Sequence, residues 1–315
     1  MLPGTSQMEN APMSSRLASA ALLSLTLLAA AAQAAAPQLK AQSPGYYRMM
    51  VGDIEVTALN DGNFMMPVAK VLTNIKPETL KSDLAKNYLP PEIVPTSVNG
   101  FLVNTGTKLI LVDSGAGKLF GPTLGNLITN LKASGYTPEQ VDEIYITHSH
   151  GDHIGGLAPD GKAVFPNAVV RMSKAEADFA LKDEAGKKML EPYIAAQHFK
   201  PFEGDVELIP GVRAVNAHGH TPGHTNYVIE SQGQKLVLWG DTMHVAAAQF
   251  PDPTVTANFD SDSKAAMPWR LKLFKETAAQ GEWVAGAHLS FPGIGHLRAE
   301  GKGYVYLPIN YLAKP

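Results

Sequence analysis

The chain has 315 residues, of which 45% are hydrophobic, 17% charged and 8% aromatic, a composition that supports a sizeable core and is neither disordered nor collagen-like. Its 26 basic and 29 acidic side chains leave a formal charge of −3, which supplies no basic face for nucleic acid. Cysteine is absent, so disulfide scaffolds, thiolate metal sites, iron–sulfur clusters and cysteine nucleophiles are excluded, and any metal must be held by His, Asp or Glu.

The first predicted element is an export segment over residues 1–34. Leu17 to Ala32 is apolar apart from Ser19, Ser24 and Thr26, follows Arg16, and runs into Ala32-Gln33-Ala34, a small-x-small pattern that places cleavage before Ala35. Glu9 upstream suits a start at Met13 better than at Met1. The apolar run is short of the roughly 20 residues that span a bilayer, so it reads as a signal peptide rather than an anchor. Residues 35–315 are then expected to form one periplasmic or secreted domain.

Tyr46 to Met50, Ile54 to Leu59 and Asn99 to Val103 read as short strands, and Lys108 to Val112 as a strand running into the turn Asp113-Ser114-Gly115. Leu124 to Ala133 carries Leu124, Leu127, Ile128 and Leu131 on one helical face and is closed by Gly135. Thr137-Pro138-Glu139-Gln140 combines an N-cap, a proline at the first helical position and a glutamine three residues on, which starts a short helix before the strand Glu143 to Thr147. A strand at Ala168 to Met172 and a capped helix at Ser173 to Leu181 follow. Tyr227 to Glu230 pairs with Lys235 to Trp239 as a hairpin, Lys264 to Ala279 is a longer helix, and Trp283 to Ala287 is a further strand. No linker, charge block or repeat divides the chain, so the expected class is α/β, one domain of two halves.

Chemistry gathers where these strands end. Directly after Glu143 to Thr147 comes His148-Ser149-His150-Gly151-Asp152-His153, closed by Gly155-Gly156. Alternate side chains at a strand end point the same way, so His148 and His150 can hold one ion while the turn at Gly151 redirects Asp152 and His153 toward a second. Sites of this donor type use about three or four protein ligands per ion and leave room for water. Further donors lie in Ala217-His218-Gly219-His220-Thr221-Pro222-Gly223-His224, in Asp241 after Gly240, and in His288 after Ala287. Spacing alone does not choose among His218, His220 and His224.

Together with Leu111-Val112-Asp113-Ser114-Gly115, these motifs resemble the metallo-β-lactamase superfamily of hydrolases. The resemblance implies a four-layer αββα sandwich and two divalent ions per chain, with zinc preferred. It places His148, His150 and His220 on the first ion, Asp152, His153 and His288 on the second, and Asp241 between them. It leaves His224 to orient a ligand by a hydrogen bond. A full set of seven ligands argues against the one-metal members.

A narrower resemblance is carried by Gly45-Tyr46-Tyr47-Arg48-Met49, Asp61-Gly62, Phe120-Gly121-Pro122-Thr123-Leu124, Asp260-Ser261-Asp262-Ser263-Lys264 and Phe291-Pro292-Gly293-Ile294-Gly295-His296. It points to the exported branch containing methyl parathion hydrolase and related lactone and aryl-ester hydrolases. The implied substrates are small neutral esters, namely lactones or aryl esters such as dihydrocoumarin, with phosphotriester hydrolysis as a side activity. A main activity on organophosphates, or on β-lactams, is the rival reading. The chain carries Ala180 where the organophosphate hydrolase has a bulky aromatic, His244 where it has an aliphatic residue, and a bulkier residue at Phe259. The stretch from Asp183 to Tyr193 also looks shorter, so the pocket is not expected to be tuned for a phosphotriester.

Two neighbouring divalent ions activate water near neutral pH and polarise a carbonyl, so ester cleavage needs no serine or cysteine nucleophile. Asp152 and Asp241 are the expected carboxylates at the reacting centre, and His244, three residues beyond Asp241, is placed to contact the leaving oxygen. Phe120, Phe259, Trp239 and Met243 are candidate apolar pocket residues. The expected partner is a small ester, with no nucleic acid and no membrane once the signal is removed; a homodimer is compatible with this reading.

Overall fold

Two mixed sheets pack face to face in a computed structural model that describes residues 36–315; the predicted export segment lies outside the described residues. The first sheet runs in chain order through β1 (Tyr46–Val51), β2 (Ile54–Met66), β3 (Val94–Asn104), β4 (Leu109–Val112), β5 (Glu143–Tyr145) and β6 (Val169–Arg171). The second contains β7 (Val206–Ile209), β8 (Val212–Asn216), β9 (Thr225–Ser231), β10 (Gln234–Leu238), β11 (Trp283–Ala285), β12 (Ile294–Glu300) and β13 (Gly303–Pro308), in the order β13-β12-β11-β10-β9-β8-β7. Pairing is parallel at β4 with β5, β5 with β6 and β10 with β11, and antiparallel elsewhere in both sheets.

The side-chain period of two explains why these strands are apolar on both faces. Ile110, Val112 and Tyr145 point inward and meet Tyr227, Leu236, Leu238 and Ala285 of the second sheet, which forms the central core. Leu109, Leu111 and Ile144 point outward and are covered by α2 (Leu127–Ala133), α4 (Lys174–Ala180) and α5 (Glu184–Ala195); α1 (Pro77–Lys86) precedes α2, and the single turn α3 (Gly151–Ile154) lies between α2 and α4 in the chain. On the far side, Val237, Trp239 and Val284 pack under Phe274 of α6 (Ser263–Gln280). Helix, sheet, sheet, helix is the expected four-layer sandwich. Among the described residues no helix is long and apolar enough to cross a membrane.

Several boundaries differ from expectation for identifiable reasons. β2 continues to Met66 through a bulge between Asn60 and Gly62, where the polar run Asn60-Asp61-Gly62-Asn63 masks the strand pattern. α2 begins at Leu127 rather than Leu124, because Gly125 is left-handed at φ +88. The carboxylate of Asp61 accepts from the backbone N–H groups of Ala116, Gly125 and Leu127 at 3.0, 3.1 and 2.9 Å, so α2 is capped from a distant strand. Gln140 does reach back to the N–H of Thr137, but only a single 3-10 turn follows. The stretch beyond Asp183 is a twelve-residue helix, capped where Asp183 accepts from Gly186.

Candidate metal centre

The rim of the sandwich collects the ends of β5, β8, β10 and β11. Backbone bonds pull the two sheets together there: Thr225 N–H donates to the Thr147 carbonyl at 2.9 Å and Asn99 N–H to that of Ala287 at 3.0 Å. The Tyr227 hydroxyl adds a bond to the Ile146 carbonyl at 2.8 Å. β5 leads into His148 and the first turn of α3, the connection from β8 to β9 carries His220 and His224, β10 delivers Asp241, and β11 delivers His288.

Three ring nitrogens converge on one point. His148 Nε2 lies 3.0 Å from His150 Nδ1, and His220 Nε2 lies 3.2 Å from the first and 3.1 Å from the second. Ligands about 2.0–2.1 Å from a tetrahedral zinc sit roughly 3.3 Å apart, so this spacing suits one ion. Asp241 Oδ2 faces the trio at 3.6 Å from His148 and 3.5 Å from His220. On the other side the same oxygen is 3.0 Å from His288 Nε2, and Oδ1 is 3.2 Å from His153 Nε2. Asp152 Oδ2 completes this second group, 3.4 Å from His288 and 3.7 Å from His153. The donor atoms within each group lie within 4.8 Å of one another. His153 Nε2 and Asp241 Oδ1 are buried without a hydrogen-bond partner, as expected of atoms reserved for a metal.

The electrostatics divide along the same line. Burial drives the pKa of His220 down to about 3 and holds His148 and His150 below the usual imidazole range, so all three present lone pairs. At His153 and His288 burial acts in the same direction but is outweighed by Asp241 and Asp152, joined at His153 by Asp113, and both pKa values rise. Burial opposes the charge on Asp241, yet His288, His153, His148 and His244 together keep it ionised.

Three of the imidazoles are held from behind. His220 Nδ1 bonds Asp260 at 2.8 Å, His153 Nδ1 bonds Asp113 at 2.8 Å, and His288 Nδ1 bonds the Ser97 carbonyl at 2.9 Å. His224 Nε2 accepts from the Asp241 N–H at 3.0 Å while its Nδ1 faces the Ala217 carbonyl, and burial lowers its pKa to about 4. Gly240 makes that approach feasible: it is left-handed at φ +49, and a Cβ there would come within 2.8 Å of His224 Nε2. His218 turns away toward Asn216 and the edge of Trp269.

His244 lies deeper than its expected place beside a leaving group. Its Nε2 is 3.1 Å from Asp241 Oδ2, its ring stacks on His288 at 5.4 Å, and Phe259 stands edge-on to it at 4.7 Å. Phe120 is exposed beside Gly151 and tilts against Phe64, whose ring is edge-on to His288 at 6.0 Å. Trp239 and Met243, expected in the pocket, are instead fully buried in the outer core with Phe250 and Phe274: Trp239 continues the outward-facing register of Val237 on β10, and Met243 follows the turn at Gly240. Ala180 likewise faces the core under α4. Sequence reasoning missed the roles of Phe64, Asp113, Glu176 and Asp260. Asp113 alone left a local signal, a polar residue directly after a buried strand.

A profile of the metallo-beta-lactamase superfamily matches residues 93–288, which span β3 to His288. The chain belongs to this superfamily. Among solved superfamily structures, hydrolase AbOPH superposes with a TM-score of 0.81 at 41% identity, covering 86% of this chain and 100% of that one. AidC, a dizinc quorum-quenching lactonase in complex with a product N-hexanoyl-L-homoserine, superposes with a TM-score of 0.78 at 28% identity over 85% of this chain and 98% of that one. An N-acyl homoserine lactonase from Bacillus cereus is 29% identical over 212 residues, which is 61% of this chain and 82% of that enzyme. The rim is thus a His/Asp metal-binding site of the kind found in dizinc superfamily lactonases, and the chain is a metal-dependent hydrolase.

Proposed function

We propose that the chain is a dinuclear hydrolase of small neutral esters, with lactones and aryl esters as its main substrates. The observation that carries this reading is the pair of donor groups joined by Asp241 and walled by Phe64, Phe120 and Phe259. His148, His150 and His220 would hold one ion, Asp152, His153 and His288 the other, with Asp241 shared. Two ions so held supply a water made nucleophilic near neutral pH and an electrophile for the carbonyl oxygen.

The remaining chemistry belongs to the chain. Attack on the acyl carbon is followed by cleavage of the acyl–oxygen bond, which opens a lactone to a hydroxy acid. Asp152 is the more open of the two carboxylates, its side chain 12% exposed against 3% for Asp241, so it is the group placed to take a proton from the attacking water and return it to the departing oxygen. The aromatic walls accommodate a flat ring and exclude water from it. A phosphotriester must fit three substituents around phosphorus, and the His244 and Phe259 rings restrict that space. The lactone specificity of AidC and the Bacillus cereus enzyme supports the same substrate class.

A hydrolysis panel on metal-analysed protein tests the proposal, using dihydrocoumarin, an acyl-homoserine lactone, an aryl ester, methyl parathion and a penicillin. Lactone or aryl-ester turnover should exceed the others by about tenfold or more in kcat/KM, equivalent to roughly 1.4 kcal/mol of transition-state discrimination. Preference for methyl parathion or penicillin would overturn it. Export from the cell is part of the proposal and rests on the Leu17 to Ala32 segment.

A further inference from the structure

Glu176 is a fully buried carboxylate on α4 whose hydrogen-bond partners include no basic side chain. Ser173 caps the helix by accepting from the Glu176 N–H at 3.2 Å, and a glutamate three residues after such a cap commonly folds back onto the cap residue. Here the carboxylate turns outward from the helix instead. Oε1 accepts from the Ser149 N–H at 2.7 Å and from its hydroxyl at 2.6 Å. Oε2 accepts from the Thr221 hydroxyl at 2.6 Å and the Gly223 N–H at 3.0 Å.

Those four donors belong to two segments far apart in the chain. Ser149 lies between His148 and His150, and Thr221 follows His220. One carboxylate therefore fastens the backbones that carry all three converging imidazoles. Its bonds do not reach Asp152, His153 or His288. Ser173 reinforces the arrangement, its hydroxyl donating to the Gly223 carbonyl at 2.7 Å.

We propose that Glu176 is a positioning residue for the three-histidine ion alone, setting the affinity of that ion without contacting it. All four partners are donors, so an acceptor-only group is required. A glutamine would turn its amide N–H groups toward one pair of donors and release one of the two segments. The carboxylate also places a negative charge next to the ion whose ligands are neutral imidazoles. This inference rests on the two-ion reading of the rim and not on the choice of substrate, so protein that binds two zinc ions but leaves lactones intact would refute the proposed function and not this role.

The test is a zinc titration of metal-free wild type and Glu176→Gln protein against a chromophoric chelator that resolves the two dissociation constants. One constant should rise by about 10 to 100-fold, the usual effect of losing an outer partner of a metal ligand, while the other is unchanged. Metal analysis after brief chelation should then find one zinc per chain where wild type keeps two. Replacing the metal with cobalt(II) identifies the retained ion by a spectrum with two carboxylate donors, Asp152 and Asp241, where the three-histidine group offers only Asp241. Equal weakening of both ions, or of neither, would overturn the assignment. If Glu176→Gln does not fold, the double variant Ser149→Ala, Thr221→Val removes only the two hydroxyl donors, and the same selective loss is expected from it; unchanged constants there would equally overturn the proposal.

Discussion

Asp241 shows how one side chain can determine the behaviour of a whole site. Its Oδ2 faces His148 and His220 on one side and His288 on the other, so removing it takes the proposed shared ligand from both donor groups. Asp241→Ala should leave less than one tightly held zinc per chain and abolish turnover, read by metal analysis and kcat/KM. His224→Gln should be milder, because the His224 ring nitrogens bond only the Asp241 N–H and the Ala217 carbonyl; a loss of about 10 to 100-fold is expected. Equal losses would contradict the distinction between ligand and support. His244→Leu probes specificity, with metal content measured alongside because His244 Nε2 lies 3.1 Å from Asp241 Oδ2. Removing the ring wedged between His288 and Phe259 should shift the kcat/KM ratio toward methyl parathion by about tenfold, or roughly 1.4 kcal/mol. An unchanged ratio would refute the steric role given to His244.

Elements reach their places by contacts remote in sequence, and Asp61 is the clearest case. A bulge in β2 turns its carboxylate under the loop between β4 and α2, where it accepts from three backbone N–H groups. Asp61→Ala would leave these donors without their acceptor, with an expected cost of about 2 kcal/mol or more in urea unfolding. Zinc content should be unchanged, since Asp61 bonds to none of the proposed ligands. The same reasoning explains the early part of the chain: the helical face beginning at Leu124 was visible in the sequence, but the start of α2 was set by Gly125 and by a carboxylate 66 residues away. Ser173 was legible as a cap. The diversion of Glu176 to the two ligand-bearing segments was not, since nothing at positions 173–176 distinguishes it from an ordinary capping pair.

At the scale of the molecule, metal and fold are coupled through protons. In the metal-free protein burial lowers His220 to about 3 and His224 to about 4 from an ordinary value of 6.5, and His148 and His150 shift in the same direction. As pH falls below 6.5 the unfolded chain binds protons at these positions and the folded chain does not, so stability must fall with pH across that window. His153 and His288, with raised values, add stability that is complete below 6.5 and is lost only as pH rises above it, so they do not reverse the trend. Thermal melts of metal-free protein should therefore show a lower Tm at pH 5 than at pH 6.5, and His224→Gln should flatten the dependence. Zinc should raise Tm at either pH, because it binds the folded rim and must compete with protons for the ligands. Export is tested separately: the mature amino terminus should lie at Ala35 or within a couple of residues of it, and an intact Leu17 to Ala32 segment in membranes would refute cleavage.

Local pattern determined what depends on neighbouring residues. Short continuous apolar runs marked strands such as Leu109–Val112, cap and breaker residues marked helix ends, and the crowding of His148, His150, Asp152 and His153 after a buried strand marked a metal loop. Only tertiary structure could bring Asp241 and His288 to that loop, separate His220 from His218, and turn Trp239 and Met243 into the core while leaving Phe64 and Phe259 at the rim. The reason is physical: periodicity and capping act over a few residues, whereas a donor's place in the site depends on which strand ends the packing of two sheets brings together, and that packing leaves no trace in the residues beside it.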